Sequence, residues 1–287
     1  MNSKQIIFPL HGWIGIVLVV VFWYLNWSLD GLRTHLLFFP LWLGYALTVD
    51  GFVYYRKGNS LLSRNWKKYV LLFLISAPAW WLFELFNLRT QNWFYDGKQF
   101  FSELEYAIYA TFSFSTVIPS VFGTAELVST FKLINKIKFD KKIIPTKKFS
   151  ILHFIIGLLL LTLVLLFPII FFVFVWLSVF FILEPVNILL RKNSIYDYLK
   201  NGNWKPVFSL WIGCLVCGFF WEMWNYFSYP KWVYDIHFAN FLYIFEMPIL
   251  GYLGYIPFSF ELLTIYSLLV GIFTKKEDNY IFSDQNN

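Results

Sequence analysis

Residues 151–190 read ILHFIIGLLLLTLVLLFPIIFFVFVWLSVFFILEPVNILL, forty positions in which Glu184 is the only Asp, Glu, Lys or Arg. A helix crosses the ~30 Å hydrocarbon layer with about 20 apolar residues, so this stretch is twice the needed length. Pro168, near its middle, lacks the N–H a continuous helix would use and marks a tight turn between two crossings. Outward from it, further apolar runs cover Leu10–Trp27, His35–Tyr55, Tyr69–Leu88, Leu104–Val128, Val207–Phe227 and Phe241–Phe273. No run shows the alternating polarity of a membrane barrel, and within lipid a helix satisfies its own backbone. The expected fold is therefore all-α, a polytopic transmembrane bundle of about eight helices. Composition agrees: 59% of residues are hydrophobic and 14% charged, against about 25% charged in soluble domains.

With eight crossings, one side of the membrane carries the N-terminus, segments 56–68, 129–150 and 191–206, and the C-terminus. That side holds 19 of the 23 Lys and Arg residues; the other holds Arg33, Arg89, Lys98 and Lys231. Basic residues stay in the cytoplasm, so both termini are expected there. The basic stretch Lys132–Lys148 is then a topology anchor beside anionic headgroups, and the net charge of +6 calls for membrane lipids and no nucleic acid. The first span has only Lys4 before it and no small-residue cleavage pattern, so it reads as retained.

The chain also repeats itself. Asn65-Trp66-Lys67 returns as Asn203-Trp204-Lys205 and Glu84-x-x-Asn87 as Glu222-x-x-Asn225, both 138 positions later; Trp93-x-Tyr95-Asp96 returns as Trp232-x-Tyr234-Asp235 at 139. Trp42, Asp50 and Ser60 match Trp176, Glu184 and Ser194 at 134. This divides the chain into residues 1–140 and 141–287, each with four spans. An even number of spans gives the halves one orientation, related by an axis along the membrane normal. The last run holds Pro248, Gly251, Gly254 and Pro257, which read either as a helix broken at a binding site or as a kinked packing helix.

Eight acids fall in or at the edge of these spans: Asp50, Glu84, Glu105, Glu126, Glu184, Glu222, Glu246 and Glu261. A charge near the bilayer centre costs about 3 kcal/mol, and no Lys or Arg lies in a span centre to offset it. Desolvation favours a neutral carboxyl, so several are expected to be protonated or hydrogen-bonded. Glu84 with Asn87, and Glu222 with Asn225, share a helix face at i,i+3. Asn at that spacing can orient the carboxyl; alternatively the pair is an interhelical clamp. Trp80, Trp81, Trp221 and Trp224 flank the two pairs. Trp93 and Trp232 read as interfacial belt residues, with Tyr234 and Asp235 beside the second. Asp50 and Glu184 read as clamps or helix-end pairs with Lys57 and Arg191.

Other chemistries find little support. Four scattered histidines give no metal set, and Cys214 and Cys217 read as small buried hydrophobes. No phosphate-binding loop, serine elbow or dinucleotide motif occurs, and no cofactor is expected.

The segments Leu37–Tyr45, Trp80–Glu84 and Glu246–Phe258 resemble those of a group of duplicated bacterial integral membrane proteins, a resemblance that implies no activity. More distantly, the duplicated helical domain with intramembrane acids and Trp-x-Tyr segments is similar to lycopene-cyclase-like carotenoid domains. That resemblance implies action on polyenes by protonation. The segment nearest to the Pro-x-Glu-Glu/Asp motif of those domains is Pro257-Phe-Ser-Phe-Glu261, with different spacing and no second acid.

The first expectation is a cofactor-independent membrane enzyme acting on an isoprenoid, carotenoid-like or other apolar lipid. A buried carboxylic acid would protonate it, and aromatic faces would stabilise the cation. Glu222 is the first choice for the acid, with Glu84 its counterpart, Glu246 a further candidate, and Asn87 and Asn225 as orienters. Trp80, Trp81, Trp221, Trp224, Trp232, Tyr234, Asp235 and Glu261 are candidates to line the substrate. The second expectation, a proton- or cation-coupled transporter, uses the same acids with Pro248–Pro257 as a broken helix. A non-catalytic scaffold is the third. The sequence does not give the oligomeric state.

Overall fold

The computed structural model describes residues 6–137, 139, 141–273 and 280–282. In chain order they form α1 (Leu10–Ser28), α2 (Thr34–Lys57), α3 (Leu61–Arg64), α4 (Trp66–Thr90), β1 (Trp93–Asp96), α5 (Glu103–Phe114), α6 (Val117–Ser129) and α7 (Lys132–Asn135). There follow α8 (Lys147–Leu166), α9 (Pro168–Phe171), α10 (Val175–Leu189), α11 (Tyr196–Leu199), α12 (Lys205–Tyr226), β2 (Lys231–Tyr234), β3 (Tyr243–Ile244), β4 (Met247–Pro248) and α13 (Tyr255–Phe273). Eight segments are long and apolar enough to cross a membrane, so this is a multi-pass, all-α bundle. The turn expected at Pro168 is present: α8 stops at Leu166, and Pro168 starts α9, where its missing N–H costs nothing.

α12, α6, α2 and α13 form the centre, α12 packing on α6 and α13. Gly213 lets α12 approach α6 closely, since a Cβ there would lie 2.6 Å from the Ala125 backbone nitrogen. α1 and α8 lie outside, against α2 and α10 respectively, with little of either buried. Their exposed Val17, Val20, Leu158 and Leu159 face lipid.

The fourth crossing is broken where the sequence suggested one helix. α5 ends at Phe114 and α6 begins at Val117; Ser76 of α4 mends the gap, its Oγ donating to the Phe114 carbonyl and accepting from the Ile118 amide. The eighth crossing has the same design, a 3₁₀ turn at Ile249–Gly254 leading into α13. Pro119 and Pro257 occupy corresponding places in the first turns of α6 and α13, where proline is tolerated. Residues 241–248 lie outside the span: β3 and β4 make a small hairpin there.

The two Trp-x-Tyr-Asp segments pair with each other. β1 and β2 form an antiparallel ladder with Trp93 opposite Tyr234, Tyr95 opposite Trp232 and Asp96 opposite Lys231. The register is two-fold in itself, because each Trp faces the other segment's Tyr. The ladder caps the ends of α4 and α12. At the opposite end, Phe8 packs on Phe52 and Tyr55, and Tyr280 donates to the Leu61 carbonyl.

Candidate functional site

The i,i+3 asparagines build the ladder. Asn87 Nδ2 donates to the Trp93 carbonyl at 2.7 Å, and its Oδ1 accepts from the Asn92 amide. Asn225 likewise donates to the Trp232 carbonyl at 2.7 Å and accepts from the Trp232 amide. Neither amide touches a carboxyl, so the expectation that they orient Glu84 and Glu222 is corrected. They spend their hydrogen bonds fixing the strand that follows each helix, and thereby aim its aromatic side chains.

Strand alternation puts Trp93, Tyr95, Trp232 and Tyr234 on one face, and there they roof a chamber of about 710 Å³. Its walls are aromatic: Phe38, Trp80, Tyr109, Trp176, Trp221 and Phe258 all contribute. Trp93 is only 6% exposed and is therefore no interfacial belt residue. Among the described residues lining the chamber, Glu222 is the one carboxyl; Lys98, Lys231, His35 and His237 supply its basic groups.

The two echoed glutamates differ in their surroundings. Glu84 does not line the chamber. Its Oε1 accepts from Trp80 Nε1 at 2.9 Å, Trp93 Nε1 at 3.0 Å and Tyr95 Oη at 2.6 Å. Glu222 is fully buried, and its Oε1 accepts from Tyr234 Oη and Tyr255 Oη, both at 2.7 Å. Its Oε2 has no hydrogen-bond partner. The Trp232 indole lies within reach of the same carboxyl. Burial first, and then the adjacent carboxyl, push the Tyr95 and Tyr234 phenols well above their usual range, so both remain neutral donors.

Of the expected substrate-lining residues, Trp80, Trp221, Trp232 and Tyr234 line the chamber, and Trp81, Trp224, Asp235 and Glu261 do not. Trp81 turns away and donates to Thr111 Oγ1. Trp224 is packed among Trp23, Trp42 and Tyr45. Asp235 accepts from Asn240 Nδ2 on the exposed loop. Glu261 lies deeper, tying α13 to the Val179 amide of α10 at 3.1 Å. Glu246 pairs with Lys231 outside the chamber.

The acids of the opposite end are partnered. Asp50 accepts from Ser60 Oγ and the Leu62 amide and faces His11 at 2.9 Å. Glu184 accepts from Ser194 Oγ, the Ile195 amide and Thr264 Oγ1. Lys57 goes instead to Glu126, which also holds Arg64 through both oxygens. At the ladder end, Glu105 is exposed, closing a capping box with Ser102 at the start of α5. The hydrogen bonds of Asp50 and Glu184 fit the clamp reading, whereas the expected pairing of Asp50 with Lys57 is corrected, since Lys57 goes to Glu126.

Tyr255 escaped the sequence reading, although a signal for it exists. At the 138-residue offset, Gly218 stands where Trp80 stands in the first half, and Tyr255 where Val117 stands. A Cβ on Gly218 would lie 2.4 Å from the Tyr255 ring, so this glycine makes the room in which Tyr255 reaches Glu222. Comparison of the chain with known protein families, curated proteins and solved structures finds no match.

Proposed function

We propose that the protein is a membrane-embedded enzyme in which Glu222, as a neutral carboxylic acid, protonates an apolar, isoprenoid-like lipid held in the aromatic chamber. The observation that carries this reading is the fully buried Glu222 among the chamber's lining residues, its Oε1 held by two phenols and its Oε2 without a partner. Ionising a buried carboxyl without a cation costs several kcal/mol, which favours the proton on Oε2. Protonation of an alkene places that proton on one carbon and positive charge on its neighbour. The Trp80, Trp176 and Trp221 faces stabilise such a cation by up to about 2 kcal/mol each when dry. Loss of a proton from an adjacent carbon to the carboxylate then restores Glu222 and leaves an isomerised or cyclised product.

Size narrows the lipid. At about 30 Å³ per heavy atom, the liquid-volume share of one water, a chamber of 710 Å³ takes roughly 24 atoms. That suits a chain of about twenty carbons.

The basic bias of the opposite end supports cytoplasmic termini, a bacterial plasma membrane being the proposed location, with the ladder and chamber facing outward. Transport, using the same Glu84 and Glu222 as proton or cation sites, is the second reading.

The test is proton transfer to carbon. Protein in lipid nanodiscs in heavy water is given all-trans geranylgeraniol, and recovered lipid is read by mass spectrometry. Wild type is expected to place deuterium on carbon, and Glu222→Gln to abolish this while retaining its fold. No deuterium in wild type, together with pH-driven flux in proteoliposomes that Glu222→Gln removes, would replace this reading with transport.

A further inference from the structure

We infer that the chamber opens sideways into the leaflet at the ladder end, and that its ligand is a bilayer lipid whose chain enters there while its headgroup stays at the membrane surface. This deepens the apolar-lipid reading and rests on it for the chamber being a lipid site.

The opening follows from how differently the two halves wall the chamber. In the first half the wall is α5, twelve residues and about 18 Å of helix. Its Tyr106, Tyr109, Ala110, Ser113 and Phe114 all line the chamber, and their i, i+3, i+4, i+7, i+8 spacing is one helix face. Packing on α2 and α4 holds α5 in place. At the 138-residue offset the same positions are Ile244, Met247, Pro248, Gly251 and Tyr252. Proline lacks the N–H and glycine is a poor helix former, so no equivalent helix forms. The chain makes the β3–β4 hairpin and the six-residue 3₁₀ turn instead. Gly251 and Gly254 of that turn line the chamber without contributing a side chain.

The side left open is apolar. The chamber is not sealed, and among its described lining residues the exposed large apolar ones are Ile170, Val173, Phe238, Leu250 and Leu253, all from the second half. A residue that lines a cavity and is also about half exposed stands at the cavity's edge. Four of these five lie in the first two turns of the spans Pro168–Leu189 and Ile249–Ile272, both of which begin at the ladder end. In water such a rim would be an exposed apolar patch; at the depth of two spans it faces acyl chains. A lipid chain therefore passes between the turn after α8 and the turn before α13 without crossing water. The chamber of 710 Å³ holds about one chain of twenty carbons, so the headgroup and any further chain remain in the bilayer.

The probe is a phosphatidylcholine with a diazirine near the end of one acyl chain, a lipid whose headgroup keeps it in the bilayer. The full chain in nanodiscs containing it is irradiated, and labelled residues are mapped by mass spectrometry. Wild type is expected to be labelled inside the chamber, at Phe38, Trp221 and Phe258, as well as at the lipid-facing Val17 and Leu158. Val173→Trp with Leu253→Trp should cut interior labelling at least fivefold and leave Val17 and Leu158 unchanged, which also reports that the fold is kept. Leu253→Ala, which widens the rim without adding bulk, should raise interior labelling about twofold. Labelling of Val17 and Leu158 without the interior, or interior labelling that neither variant changes, overturns the inference. Interior labelling in a wild type that transfers no deuterium to geranylgeraniol would uphold the side opening and sink the acid-catalysis reading; deuterium transfer without interior labelling would do the reverse.

Discussion

Replacing Glu126 by glutamine removes the anion that two cations share at the end of the bundle opposite the ladder. Lys57 Nζ lies 2.5 Å from Glu126 Oε1, and Arg64 reaches both oxygens at 2.6 and 2.9 Å. The carboxyl is 1% exposed. Breaking a buried pair from one side costs about 3–5 kcal/mol, because the partner charge stays behind. The lower figure applies, since Arg64 keeps the Asn59 side chain and the Tyr280 carbonyl as acceptors, and Lys57 is 20% exposed and can turn toward water. About 3 kcal/mol at roughly 2 °C per kcal/mol for a chain of this size lowers Tm by about 6 °C. The assay is tryptophan-detected melting in nanodiscs at one fixed scan rate, because membrane-protein unfolding is seldom reversible. Arg64→Met alone should cost a similar amount, and the double variant much less than the sum. A Glu126→Gln shift below about 1 °C would refute the reasoning, and loss of ion flux in that stable variant would make Glu126 a transport residue.

Tyr95→Phe removes a phenol donor at 2.6 Å from Glu84 and should cost about 1.5 kcal/mol of stability, read as a Tm loss near 3 °C, with little effect on deuterium transfer. Tyr234→Phe should instead reduce transfer by an order of magnitude or more, read in the same heavy-water assay, because it loosens the acid itself. Gly218→Ala puts a methyl into the Tyr255 ring and should cut transfer while lowering stability by about 1–3 kcal/mol. Because the Tyr95 and Tyr234 phenols are held above their usual range, their contribution is complete below about pH 10 and is lost as pH rises beyond it. A 295 nm titration should show these two ionising only as the fold melts.

The crossings were legible because apolar length alone decides them in lipid: forty uninterrupted residues around Pro168 admit only two helices and a turn. Where helix and loop are equally apolar, that signal fails. Residues 241–248 belong to the apolar run of the eighth crossing, yet form an external hairpin. The break at Ser115 and Thr116 was equally silent, because its repair comes from Ser76 on another helix. The spacing of Glu84 and Asn87 correctly put them on one helix face, but the distance to the next strand decided what Asn87 bonded. Likewise the Trp-x-Tyr-Asp echo was plain, while the pairing of one copy with the other is a tertiary fact that no local spacing encodes.

What sets the surroundings of Glu84 and Glu222 apart is a pair of differences outside the echoed motifs. The motifs supply both halves with a glutamate, an asparagine clamp and a Trp-x-Tyr strand, and by themselves would make two equal sites. Trp80 on α4 donates to Glu84 from one turn away and takes up space the chamber would otherwise occupy. Gly218 at the corresponding place on α12 gives no donor and no volume. Tyr255 of α13 enters instead and donates from the opposite quarter. The carboxyl is then held by two phenols at Oε1, with Oε2 left without a partner. The glutamate of the first half is thus saturated at Oε1, which secures the roof, and that of the second keeps an unpartnered oxygen. Under the proposed reading, that difference, rather than the number of acids in the membrane, is what makes Glu222 the candidate acid.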